Sequence, residues 1–187
     1  MVEGTPHKRR LFAGVELDES VRAACASISE ELRRTGFEAR YETPEKLHLT
    51  LAFLGFVEPF SLNDIIASLA STAARTGRLG VTFDTLGAFP HERRPRVVYA
   101  GAREQGSAFR ELAAKIRRAY EALDFEFDKD AAAHVTLARV KESRQPLPLV
   151  EFAPIRLEIR ELALFESLHD PARNTSRYEI VARAPVS

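Results

Sequence analysis

The chain alternates between two hydrophobic periods. Residues 9–17, RRLFAGVEL, alternate in the manner of a strand. Asp18 then stands where a helix cap is needed, and Val21, Ala24, Cys25, Ile28 and Leu32 form one helical stripe that ends near Gly36. A loop with Thr43-Pro44 leads into a second strand segment, HLTLAFLG, residues 48–55. Ser61-Leu62-Asn63-Asp64 resembles a capping box, and Leu62, Ile65, Ile66, Leu69 and Ala73 follow at helical spacing before Gly77. After a Pro-rich loop at residues 89–95, the β-branched RPRVVYAG at 94–101 predicts a strand. A third helix over 107–123 carries Phe109, Leu112, Ala113, Ile116, Tyr120 and Leu123 on one face. AHVTLARV at 133–140 is a further strand, and residues 155–164 and 177–183 alternate as strands that complete the sheets.

Two of these segments repeat one another. HLTLA and HVTLA share the pattern His-apolar-Thr-Leu-Ala at an interval of 86 residues, and Arg10 and Arg96, at the starts of two other strands, have the same separation. The helix stripes fit that interval only to within a couple of residues. The expectation is therefore one domain over 1–187, built from two strand–helix–strand units near residues 10–55 and 96–140. Strand alternation sends Leu47, Leu49, Leu51 and Phe53 to the core and turns His48, Thr50 and Ala52 to the other face. In the second unit His134, Thr136 and Ala138 share a face opposite Val135 and Leu137. Each strand presents an imidazole, a hydroxyl about 7 Å further on, and a small residue that leaves room for a ligand.

Composition narrows the partner. The 187 residues are 45% hydrophobic and 29% charged, with 9 Gly and 10 Pro, which excludes a disordered or low-complexity chain. Lys+Arg and Asp+Glu are equal at 27 each, so no overall positive field draws the protein onto long nucleic acid. A compact anion needs only a local cluster of donors. Arg9 with Arg10, and Arg93, Arg94 and Arg96, are such clusters, although solvated faces are the ordinary reading of both. The single Cys25 excludes an intrachain disulfide and fits a reducing, cytoplasmic setting; its place in a helical stripe makes it core filling. No targeting or membrane-spanning segment is visible.

A cleft floored by two histidines and two threonines suits a phosphate. Hydroxyls donate to non-bridging oxygens, and imidazole is the side chain able to be neutral in one copy and protonated in another near neutral pH. One ring then takes a proton from water while the other gives one to a departing oxygen. A zinc site competes, but His7, His91 and His169 lie in a terminus, a loop and a polar turn, with no His-Glu-x-x-His or paired Cys. No Gly-x-Ser-x-Gly elbow or phosphate loop is present.

On these residues the chain resembles the two-histidine (2H) phosphoesterases, and most closely their RNA 2′,3′-cyclic phosphodiesterase branch, the 2′-5′ RNA ligase-like proteins. The resemblance runs from RRLFAGVEL through HLTLAFLG, FPHERRPRVVYAG and HVTLARV to LFES. It implies an α+β, bilobed fold of two pseudo-symmetric lobes, each a largely antiparallel sheet with outer helices, and a cleft between them. It also implies opening of RNA 2′,3′-cyclic phosphate ends, as on tRNA fragments or short oligonucleotides, to 2′-phosphomonoesters with no metal, cofactor, membrane or protein partner. His48 and His134 become the catalytic pair, His134 as base and His48 as acid, with Thr50 and Thr136 on the phosphate.

Two positions depart from the family. Ala133 stands where a Pro is common, leaving the approach to His134 less rigid, and Tyr41 where a Trp is common. Tyr41 offers a ring for a base or packs on the sheet edge. Arg139 matches the family's Leu-x-Arg ending, yet regular alternation turns it away from His134, so a substrate contact and a rim role stay open. Two alternatives also remain: 2′-5′ RNA ligation, and a module that binds RNA ends or nucleotides without turnover.

Overall fold

The computed structural model describes residues 7–104, 106–128, 130–142, 144–172 and 174–187. In chain order they form β1 (Arg9–Glu16), α1 (Glu19–Arg34), β2 (Arg40–Tyr41), β3 (His48–Val57), α2 (Leu62–Ala73), β4 (Leu79–Phe83), β5 (Thr85–Phe89) and β6 (Val97–Gly101). Then follow α3 (Ser107–Glu121), β7 (His134–Arg139), β8 (Ile155–Ile159), β9 (Glu161–Asp170) and β10 (Thr175–Pro185). The main sheet runs β10-β9-β1-β3-β7-β6-β5, with β2 added beside β7, and every pairing is antiparallel. A small second sheet pairs β4 with β8.

The sheet is nearly divided in its middle, because β3 and β7 share a single bridge pair, Leu49 with Val135. One lobe is β10-β9-β1-β3 and the other is β7-β6-β5 with β2. Leu49 and Val135 are themselves 86 residues apart, so an approximate two-fold axis passes through the junction.

Helices cover one face. Asp18 accepts the Val21 N–H at 2.9 Å and starts α1; Gly36, at φ +76°, takes the left-handed conformation just past its end. Val21, Cys25, Ile28 and Leu32 of α1 are buried, as are Phe109, Leu112, Ala113, Ile116 and Tyr120 of α3. Each large apolar side chain so removed from water contributes about 1.5–3 kcal/mol. The helices cross over: α1, from the first unit, packs under β7, while α3, from the second, packs under β3. Each motif strand is therefore supported by the other unit's helix.

Several sequence expectations change in detail. Ser61 precedes α2 without a side-chain capping bond, and α2 ends at Ala73, ahead of Gly77. The stretch 155–164 is two strands in two sheets, broken at Arg160. β4 and β5 are additional strands; in β4, Leu79, Val81 and Phe83 alternate with Gly80 and Thr82. Cys25 is fully buried with its thiol pushed up to about 12 by desolvation, which makes it inert filling. No helix among the described residues is long and apolar enough to cross a membrane.

Candidate active site

The face of the sheet away from the helices is a cleft of about 470 Å³ over the β3–β7 junction. His48, Thr50, His134, Thr136 and Arg139 all line it. From the Leu49–Val135 pair, antiparallel geometry sets His48 toward Thr136 and Thr50 toward His134.

The two rings are held alike. His48 Nδ1 lies 2.6 Å from the Lys46 carbonyl oxygen, and His134 Nδ1 lies 2.9 Å from that of Ala132. A carbonyl only accepts, so each Nδ1 donates, and each Nε2 is left for the cleft. Lys46 and Ala132 are again 86 residues apart, so the ring anchors obey the repeat. The Thr50 and Thr136 hydroxyls have no hydrogen-bond partner among the described residues.

Aromatic side chains flank both rings. His48 packs on Phe12 at 4.7 Å and edge-on to Tyr178 at 5.0 Å, over a small second apolar cluster of Phe12, Ala163 and Phe165. His134 meets Phe89 and Tyr99, each at 5.3 Å and edge-on. This burial disfavours imidazolium: desolvation pushes His48 down to about 4, opposed by the Lys46 carbonyl and Glu42 and assisted by His134. His134 is lowered for the same principal reason.

Charge converges on the same space. Arg10, Arg40, Lys46 and Arg139 line the cleft with a single carboxylate, Glu42. Glu42 is 9% exposed, accepts from Arg139 Nε at 2.9 Å and pairs with Lys46 Nζ. Those two cations hold its carboxyl below the usual range against the opposing effect of burial.

Two bulges correct the expected alternation. In β1–β3 the register passes from Gly14–Thr50 to Ala13–Ala52, skipping Leu51; in β6–β7 it passes from Tyr99–Thr136 to Val98–Ala138, skipping Leu137. The skipped residues are 86 apart. Each bulge reverses the faces beyond it. Ala52 and Ala138, expected to leave room for a ligand, are buried in the core. Phe53, expected in the core, is 62% exposed and lines the cleft, as does Arg139, which regular pleating would have turned away.

Other placements follow from local contacts. Tyr41 lies outside this cleft, half-buried, with Arg33 over its ring at 4.3 Å and its hydroxyl donating to the Phe37 carbonyl at 2.9 Å; it packs at the sheet edge. Ala133 is buried, and its carbonyl accepts the Ala102 N–H at 3.0 Å, so backbone pairing steadies the approach to His134. Arg93 and Arg94 are exposed outside the cleft, Arg9 pairs with Glu166, and Arg10 alone of that cluster enters it. Among the described residues no group of three His, Cys, Asp or Glu is placed to hold a metal ion. Sequence reasoning missed Glu42, Lys46, Arg40, Phe12 and Tyr178; of these only the Glu42–Lys46 spacing of four carried a signal.

A two-lobed antiparallel sheet with paired His-x-Thr strands across its central cleft defines a phosphoesterase class. The chain matches the family described as LigT like phosphoesterase over residues 15–99 and 101–174, and it belongs to that family. It is 34% identical over 172 residues to the RNA 2′,3′-cyclic phosphodiesterase of Archaeoglobus fulgidus, covering 87% of this chain and 93% of that one. It is 36% identical over 155 residues to the RNA 2′,3′-cyclic phosphodiesterase of Thermus thermophilus, covering 76% and 74%. Among solved structures, TT0787 of Thermus thermophilus superposes with a TM-score of 0.82 at 30% identity, over 95% of this chain and 97% of that one. E. coli LigT complexed with 3′-AMP shares the fold, with a TM-score of 0.75 at 24% identity over 97% and 99%.

Proposed function

We propose that this protein hydrolyses 2′,3′-cyclic phosphate ends of RNA, on tRNA fragments or short oligonucleotides, to 2′-phosphomonoesters without a metal ion, and that residues 1–187 act as one domain of two repeated units. The observation that carries this reading is the mirrored pair of imidazoles, each anchored through Nδ1 and each with Nε2 free, in one cleft with two unengaged hydroxyls. The names and coverage of the relatives support the same substrate class.

His134 Nε2 takes a proton from water as its oxygen attacks phosphorus; the P–O3′ bond breaks, and His48 Nε2 gives its proton to O3′. Thr50 and Thr136 donate to the non-bridging oxygens, where charge builds, and Arg139 contacts the phosphate. The acid must be imidazolium, yet burial holds His48 near 4 in the free protein. The anionic phosphate supplies the missing counter-charge: its arrival raises both imidazoles and, with Glu42 close by, allows His48 to hold a proton.

The test is incubation with a short RNA ending in a 2′,3′-cyclic phosphate, in chelator. The expected product is a 2′-monophosphate, with losses of roughly 10²–10⁴ in His48→Ala and in His134→Ala, and of about 10²–10³ in each Thr→Ala. A substrate with sulfur in place of O3′ leaves without a proton, so it restores His48→Ala but not His134→Ala. Binding without turnover, or full activity in either His variant, contradicts the proposal.

A further inference from the structure

Beyond the catalytic cleft, β3 exposes Phe53 and Phe56 to extents of 62% and 71%. Bare aromatic surface of this kind marks a binding face when it is contiguous with a site. Phe53 lies opposite Phe12 in the β1–β3 ladder, at 5.6 Å between rings, and Phe56 lies opposite Arg10. Cross-strand partners share a face. Because Arg10 and Phe53 line the cleft, Phe56 stands on the same face, one step further from His48.

Charge selects the occupant. Lys8 pairs with Glu58 and Arg9 with Glu166, whereas Arg10 has neither an ion pair nor a hydrogen bond among the described residues. The surface is thus two aromatic rings beside one uncompensated guanidinium, opening into a cleft with three more cations and one acid. Phe53 and Phe56 face Phe12 and Arg10, two residues apart on β1, and so stand about 7 Å apart along the ladder at ~3.3 Å per residue, a separation that suits neighbouring bases of an extended chain. Aromatic faces stack any base, and an Arg on the strand alongside meets the linking phosphate. The surface runs straight on from the cleft, so the chain that fills it is the one whose end the cleft takes.

We propose that Arg10 and Phe56, joined to the cleft through Phe53, bind the nucleotide preceding the reacting end of a single-stranded RNA, so that the protein selects oligonucleotides over mononucleotides. This rests on the hydrolase reading and extends it by one nucleotide. The surface is built by two features invisible to alternation: the Leu51 bulge that turns Phe53 outward, and Gly55 at φ +73°, which lets β3 continue past a second irregularity to Phe56.

The experiment compares kcat/KM for a dinucleotide and for a mononucleoside, each ending in 2′,3′-cyclic phosphate, in wild type, Phe56→Ala and Phe56→Tyr. Wild type is expected to favour the dinucleotide. Phe56→Ala should lose about tenfold on the dinucleotide, the scale of one lost base–aromatic stack, and less than about twofold on the mononucleoside, with Phe56→Tyr restoring the preference. Equal losses on both substrates, or none on either, overturn the proposal. If wild type turns over neither substrate, the hydrolase reading falls. Calorimetric binding of the dinucleotide then decides the surface separately: weaker binding to Phe56→Ala sustains it and equal binding overturns it. Light scattering that shows a dimer dissolved by Phe56→Ala would assign the face to a second copy of the chain and overturn the proposal.

Discussion

At the residue scale, the proposed chemistry depends on two imidazoles kept neutral by burial until an anion arrives. Burial lowers both rings, and His134 lowers His48 further. The free enzyme governs kcat/KM, so its pH optimum should lie on the acid side of an ordinary histidine, below about 6.5. The optimum of kcat should lie higher, since bound phosphate favours imidazolium. Glu42 raises His48, and Glu42→Gln should therefore move the limb of kcat/KM that breaks near the His48 value to lower pH. An unchanged limb would show that Glu42 serves only to hold Arg139 and Lys46. His48, Thr50, His134 and Thr136 were legible in the sequence because their repeat is exact at the motif. Glu42 was not, since a carboxylate beside a phosphate cleft makes sense only once Arg139 and Lys46 are seen on either side of it.

At the element scale, β1 and β3 approach so closely that a Cβ on Gly14 would lie 2.6 Å from the Leu49 carbonyl oxygen. That oxygen is backbone and cannot swing aside. Gly14→Ala should therefore displace β3 between His48 and Thr50, lowering kcat by an order of magnitude or more while far-ultraviolet circular dichroism stays native-like; a fully active variant would show that β3 tolerates the shift. The strands and helices themselves were readable from their periods, down to the Asp18 cap. The bulges were not. They insert single residues without breaking the hydrophobic composition, so Leu51 and Leu137 look like ordinary strand leucines, and the faces of Ala52, Phe53, Ala138 and Arg139 come out reversed. β4 and β5 escaped for a different reason: at five residues each they are near the shortest run in which alternation can be told, and β4 pairs with the distant β8.

At the scale of the whole molecule, the two halves meet through one bridge pair on the sheet and through helices that pack beneath each other's motif strands. The site lies on that seam, which couples it to folding. His48 titrates near 4 in the folded chain and near 6.5 when unfolded, so stability is complete above about 6.5 and falls as the pH drops toward 4, because only the unfolded state gains the proton. At roughly 1.4 kcal/mol per pH unit this amounts to about 3 kcal/mol. The urea midpoint should fall further between neutral and mildly acidic pH in wild type than in His48→Gln; parallel losses would place the acid sensitivity elsewhere. The interval of 86 residues already implied two like units, but only the structure supplies the axis through Leu49 and Val135 that sets their rings over one cleft. The most direct test of that placement is nitrogen-15 NMR of the histidine rings during titration with a nucleoside 2′-monophosphate. The Nε2 resonances of His48 and His134 should move together with one dissociation constant; movement of only one ring, or two separate midpoints, would contradict a single phosphate held between them.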